Sequence, residues 1–210
     1  MVNANADAIG IIFPNNYDQY VPELVSERLM ASIPFASRYR MIDFLLSSMV
    51  GCGIDTVEIL VRENYHSLVD HLGGGREWDL SRKNGGLSIF PPFAQKTIGM
   101  MGGGRVEALS NILPVLRKRK ESYVIMADTN IAANFDFNAL IERHIETGAD
   151  ITMSYTKQEL PKELTGAEDA RKGLYYTLKL NGDRVENIYI NKEEQGVQNY
   201  SMNIYIANRE

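Results

Sequence analysis

The sequence predicts an α/β fold, doubly wound around a mostly parallel sheet, with a β-rich C-terminal part. Three observations point there. Apolar runs of strand length alternate with helix-period segments from Ala8 to Tyr155, which implies crossover connections between parallel strands. Beyond Leu174 the pattern changes, and Asn181-Gly182 between two strand-like runs is a strong hairpin signal. Finally, 210 residues with 44% hydrophobic content suit one sizeable core. A domain of this size hides about 70–75% of its unfolded surface without a disulfide or metal staple.

The first strand is the continuous apolar run Ala8–Phe13, closed by Pro14-Asn15-Asn16. A helix follows over Arg40 to Met49, with Met41, Ile42, Leu45, Leu46 and Met49 on one face and Gly51-Cys52-Gly53 ending it. Thr56–Val61 reads as the next strand and Tyr65–Leu72 as a short helix. Residues 73–104 hold two Gly triplets and Pro91-Pro92 with little periodicity, the mark of a long connection. Val106–Leu116 is helical despite Pro114, and Tyr123–Ala127 is a strand. Phe137–Thr147 is a helix ended by Gly148, and Ile151–Tyr155 is another strand. Leu174–Leu180 and Val185–Ile190 form the hairpin, and Met202–Ile206 is the last strand.

Composition narrows the function. Lys and Arg total 22 against 27 Asp and Glu, a net charge of −5. Nucleic-acid binders normally need a basic face, so no nucleic-acid partner is expected. The dense basic stretch Arg117–Lys120 falls where a helix should end, and the helix dipole favours cations there, so it reads as a solvated helix end. No run approaches the roughly 20 apolar residues of a membrane span, and Met1–Asp7 has no signal-peptide character. A cytoplasmic protein is expected. Cys52 is the single cysteine and reads as a small buried filler.

Neither a Gly-x-x-x-x-Gly-Lys-Ser/Thr loop nor a Gly-x-Gly-x-x-Gly fingerprint is present. Gly73-Gly74-Gly75 and Gly102-Gly103-Gly104 are each followed by an Arg, Arg76 and Arg105. They read as phosphate cradles or, on spacing alone, as loop punctuation. His66, His71 and His144 lack metal-ligand spacing. Asp128 directly follows an apolar strand, at the end where open parallel sheets bind ligands. Such an acid can hold a Mg²⁺ ion bridging nucleotide phosphates, or simply cap the next turn.

The segment Ile33–Phe44 resembles the Pro-Phe-Gly-Gly-Lys-Tyr-Arg-Ile-Ile-Asp-Phe block of glucose-1-phosphate adenylyltransferases, the ADP-glucose pyrophosphorylases. The likeness continues through Leu46–Ile54 (family Leu-Ser-Asn-x-x-x-Ser-Gly-Ile) and Tyr65–Leu72 (Ser-His-Ser-Leu-x-x-His-Ile). It extends to Tyr123–Asp128 (Leu-x-Gly-Asp) and to Ser201–Tyr205 (Ser-Met-Gly-Ile-Tyr). The resemblance implies a nucleotide-diphospho-sugar transferase, Rossmann-like fold over residues 1–210. It also implies a left-handed β-helix and a further metal-binding Asp region beyond Glu210, so the chain is expected to be truncated.

The departures from the pattern shape the functional expectation. Catalytic members run from the first strand into a Gly-Gly-x-Gly-Thr-Arg loop, whose amides and Arg serve the nucleotide phosphates. Here the strand runs into Pro14-Asn15-Asn16-Tyr17-Asp18-Gln19-Tyr20, and Met30 replaces the lysine of the family's Lys-Pro-Ala-Val. Pro14 has no amide proton to offer, and Asp18 would repel triphosphate near the old phosphate site. Phosphoryl-group transfer depends chiefly on positioning and charge neutralisation, so these losses are severe. The pattern resembles the GlgD-type companion subunit of some Gram-positive bacteria, which implies a regulatory, catalytically poor subunit in a mixed tetramer with a catalytic partner. The alternatives are an active enzyme with a rebuilt loop, making ADP-glucose and pyrophosphate from ATP and glucose 1-phosphate, and a ligand-free scaffold domain.

By the same resemblance, Lys192 would hold the sugar phosphate, Ser201 would lie near the sugar, and Asp128 would be a vestigial metal ligand. Arg28 and Arg40 match arginines near a phosphorylated-activator site, where Glu27 and Pro34 replace a Lys and a His. The plainer reading of Arg40 is an i, i+3 pair with Asp43, and that of Lys192 an exposed turn residue.

Overall fold

Ala8–Phe13 forms β1 and is buried at every residue, as an unbroken apolar run must be when a strand is covered on both faces. The protein is described here by a computed structural model, which covers residues 6–14, 18, 21–91, 105–159, 175–190 and 196–210. After β1 come a short helix α1 (Pro22–Val25) and a small hairpin of β2 (Pro34–Phe35) and β3 (Tyr39–Arg40). Then follow α2 (Met41–Gly51), β4 (Thr56–Leu60), α3 (His66–Leu72), β5 (Gly86–Phe90), α4 (Arg105–Leu116), β6 (Tyr123–Asp128) and α5 (Phe137–Thr147). The C-terminal part is β-rich: β7 (Ile151–Glu159), β8 (Tyr176–Asn181), β9 (Arg184–Ile190) and β10 (Val197–Asn208).

The main sheet runs β5-β4-β1-β6-β10-β8-β9, and β7 pairs with β10 off that path. The β5, β4, β1 and β6 segment is parallel, whereas β10 is antiparallel to β6, β7 and β8. Alternation along β1 assigns the two faces. Ala8 and Ile12 join the core beneath α2, α3 and α5, with Leu46, Met49, Leu68 and Phe137. Ile9, Ile11 and Phe13 join the core beneath α4, with Ile112 and Leu116. The predicted doubly wound α/β architecture is therefore the one observed.

Local chemistry sets the boundaries. The Asp136 carboxylate accepts the Ala139 N–H at 3.1 Å to cap α5, and Gly148 closes that helix in the left-handed conformation. The Asn181-Gly182 turn joins β8 to β9 as expected. α4 continues through Pro114 to Leu116.

Two expectations need correction. Residues 73–104 are not simply a connection, because Gly86–Phe90 inside them forms β5, parallel to β4. Gly86 starts it at φ 80°, where an added Cβ would lie 2.3 Å from the Leu80 carbonyl oxygen, so no other residue fits there. Nor is Arg117–Lys120 merely solvated: the Arg119 guanidinium pairs with the buried Glu58 carboxylate of β4. The last strands also extend beyond their predicted limits, since cross-strand pairing carries on into polar residues.

Candidate functional site

The chain leaves β1 towards β4 and β5 on one side and later returns to place β6 on the other. This reversal is a topological switch point, and ligands of open α/β sheets bind beyond the carboxyl ends of the strands there. Phe13 and Asp128 are paired at those ends. The Asp128 side chain has no exposed surface, while that of Arg105, the first residue of α4, is 26% exposed. The two meet as a fork: Arg105 Nε donates to Oδ1 at 3.2 Å and Nη2 donates to Oδ2.

β10 closes the site from the other side. Its antiparallel pairing sets Ile204 opposite Ala127, so Ser201 and Asn203 run past the end of β6. The strand bulges between Ser201 and Tyr205, with Asn203 at φ 54°. Asn tolerates that conformation better than most residues, and the family block carries Gly at this place. Ser201 Oγ accepts the Asn203 N–H at 3.1 Å, and Tyr205 Oη donates to Asn203 Oδ1 at 2.9 Å. The Arg105 guanidinium carbon lies 5.8 Å from the Tyr205 ring centre. Burial raises the Tyr205 phenol above its ordinary pKa, against the lowering influence of Ser201 and Arg105.

The altered loop follows β1. Asp18 Oδ1 accepts the Met30 backbone N–H at 2.8 Å, and Thr129 Oγ1 donates to the Pro14 carbonyl at 3.4 Å. Residues 15–17, 19 and 20 lie outside the described residues, as do Lys192 and the triplet Gly102–Gly104. Gly73–Gly75 is a folded turn rather than an open cradle, with the Gly75 carbonyl accepting the Trp78 and Leu80 amides.

Arg28 is half-buried in the bend after α1. Arg40 precedes α2 and clasps it to its surroundings, Nη1 donating to the Ser32 carbonyl at 3.1 Å and to Ser67 Oγ at 2.6 Å. The expected side-chain pair with Asp43 is replaced. Asp43 instead accepts the Arg40 backbone N–H at 3.0 Å and meets His71 Nε2 at 2.6 Å. Cys52 is buried, as its setting between glycines suggested.

The two sequence-predicted positions Asp128 and Ser201 are linked through Arg105, Tyr205 and Asn203. Arg105 was visible only as the residue after a Gly triplet. Asn203 and Tyr205 carried no separate signal beyond their place in the Ser201–Tyr205 block.

Residues 24–165 match the family model described as nucleotidyl transferase. The chain belongs to the nucleotidyl transferase family. Among curated relatives, a "Glycogen biosynthesis protein GlgD" of Geobacillus stearothermophilus is 39% identical over 151 residues, 70% of this chain and 43% of that protein. A glucose-1-phosphate adenylyltransferase of Clostridium novyi is 32% identical over 186 residues, 88% of this chain and 46% of that protein. The chain spans about half the length of the curated relatives it matches. A solved structure from Bacillus anthracis, described as a glucose-1-phosphate thymidylyltransferase, superposes with a TM-score of 0.70 at 13% identity. It covers 96% of this chain and 72% of that one, which shows the shared fold.

Nucleotidyl transferases generally use Mg²⁺. In this member, among the described residues, no group of three or more His, Cys, Asp or Glu side chains is placed to hold a metal. Asp128 is the acid at the strand end, and both its oxygens are engaged by Arg105. As placed, Asp128 fits a metal ion only if Arg105 gives up its carboxylate. Among the described residues, no helix is long and apolar enough to cross a membrane.

Proposed function

We propose that this chain is the nucleotidyltransferase-like part of a regulatory, catalytically poor subunit of glucose-1-phosphate adenylyltransferase. It serves ADP-glucose and glycogen synthesis in the cytoplasm, beside a catalytic partner in a mixed oligomer. The observation that carries this reading is the Asp18–Met30 hydrogen bond. Catalytic relatives bring a glycine-rich phosphate loop with its Arg, and a Lys, to these two stretches of chain. Here one stretch contributes a carboxylate and the other a thioether, and the carboxylate accepts the Met30 backbone N–H. A carboxylate repels triphosphate, and a thioether neutralises nothing. The GlgD relatives, glycogen biosynthesis proteins by name, support the pathway.

What survives is the sugar-phosphate side, Lys192 and Ser201, with Arg28 and Arg40 as candidates for a phosphorylated effector. Sugar phosphate is therefore expected to bind better than ATP. A subunit that prefers one conformation of its partner shifts the partner's equilibrium by that differential affinity.

The full natural chain, assayed alone for pyrophosphate release from ATP and glucose 1-phosphate, should turn over far below the typical enzyme value of about 10 per second. Turnover near that value overturns the proposal in favour of an active enzyme. Co-expressed with a catalytic subunit, it should co-elute in size-exclusion and raise turnover or alter the effector response. Unchanged partner kinetics, or no mixed oligomer, would leave a scaffold.

A further inference from the structure

The geometry at the switch point assigns Arg105 a role of its own. We propose that its guanidinium is the resident cation of the crevice, meeting a ligand phosphate where the family implies a divalent ion, and that Asp128 anchors it. The choice of phosphate as the ligand class rests on the function proposed above; the exclusion of metal does not.

Burial gives the pair a direction. Asp128 is wholly covered while Arg105 remains a quarter exposed, so the crevice meets the cation and not the carboxylate. Both Asp128 oxygens accept from the guanidinium, which leaves a metal to compete with a bidentate, buried partner. Magnesium binds through one or two carboxylates together with substrate phosphates and retains several waters. One carboxylate already held by a guanidinium is a poor start for such a site. Ser201, Asn203 and Tyr205 on the neighbouring strand are neutral and add no charge of their own. Tyr205 also stays a protonated phenol at neutral pH, because its burial opposes ionisation. A planar guanidinium fixed along one edge and lying near an aromatic ring suits phosphate recognition, because the fork matches two phosphate oxygens.

The test uses the full natural chain and Mn²⁺ as a spectroscopic probe of the metal site. Electron paramagnetic resonance should show no Mn²⁺ bound more tightly than about millimolar, and Asp128→Asn should give the same titration. Calorimetry with glucose 1-phosphate should return equal affinities in EDTA and in Mg²⁺, and inorganic pyrophosphate, which complexes Mg²⁺ in solution, is titrated in EDTA alone. Arg105→Ala should weaken that binding roughly tenfold or more in EDTA. It should also create Mn²⁺ binding at the released Asp128. If that variant fails to fold, Arg105→Lys keeps the charge, loses the fork and should weaken binding in the same direction. Wild-type Mn²⁺ binding that Asp128→Asn abolishes overturns the proposal, and so does an anion affinity that rises with Mg²⁺ or ignores both Arg105 variants. If glucose 1-phosphate alone fails to bind, the sugar-phosphate reading falls, while pyrophosphate and Mn²⁺ still judge Arg105. Failure of both anions to bind overturns the proposal.

Discussion

Glu58, fully buried in the middle of β4, is paired with Arg119, which lies just beyond the end of α4. The pair enters the apolar layer formed by Ile9, Ile11, Leu60, Ile112 and Leu116. Glu58 Oε2 and Arg119 Nε are buried there without a hydrogen-bond partner. A buried charge whose partner is removed costs about 3–5 kcal/mol, whereas replacing both partners with apolar groups is often neutral. Arg119→Ala should therefore destabilise the protein by roughly 3 kcal/mol in urea denaturation. The double variant Glu58→Leu with Arg119→Met should recover most of the loss. A single variant within about 0.5 kcal/mol of wild type would show that water reaches Glu58 in solution.

The hairpin before α2 offers the opposite sign. Ala36 and Ser37 turn it at φ 46° and 76°, a region that side chains bearing a Cβ occupy at a cost of about 1–2 kcal/mol per residue. The resembling family block has Gly-Gly at these two places. Ala36→Gly and Ser37→Gly should each raise stability, by about 1 kcal/mol, once the entropy glycine adds to the unfolded chain is counted. Chemical denaturation checks this, and a loss of stability in both variants would contradict the left-handed turn.

Tyr205 gives the protein an alkaline limit. Burial holds its phenol neutral above the usual value, so the unfolded chain releases its proton first, near pH 10. Its contribution is complete below the unfolded pKa and fades as pH rises through the higher folded pKa. Between about pH 9 and 11, wild type should lose stability more steeply than Tyr205→Phe. Near neutrality the variant should be weaker by about 1 kcal/mol, having lost the bond to Asn203. Parallel slopes would mean that Tyr205 is solvated.

Legibility in the sequence followed the range of the interaction. β1, α5 and the β8–β9 hairpin announce themselves locally, through an apolar run, an Asp136 cap with Gly148, and Asn181-Gly182. β5 does not, because its five residues begin at a glycine and are defined by pairing with β4. Asp128 was readable as an acid ending a strand. Its partner was not, since nothing near Arg105 in the sequence indicates a carboxylate 23 residues away. The same holds for Glu58 and Arg119, 61 residues apart. Arg40 misled because spacing suggested Asp43, while the fold brings Ser67 within 2.6 Å.

These long-range contacts decide how the lost chemistry should return. Restoring the Gly-Gly-x-Gly-Thr-Arg loop and Met30→Lys rebuilds the phosphate cradle and breaks the Asp18–Met30 arrangement. Arg105 still occupies Asp128 in that variant, so Mg²⁺-dependent pyrophosphate release should stay near background. Adding Arg105→Ala removes the guanidinium from the carboxylate, and the combined variant should exceed the sum of its parts. Groups that act as a unit in catalysis are strongly non-additive, so the gain appears only when the last obstacle is removed. Single-turnover assays of the loop graft, of Arg105→Ala and of the combination measure this directly. Full recovery from the graft alone would mean that Arg105 yields Asp128 to the metal once nucleotide phosphates are present. That result would leave the loop and Met30 as the whole reason for poor catalysis.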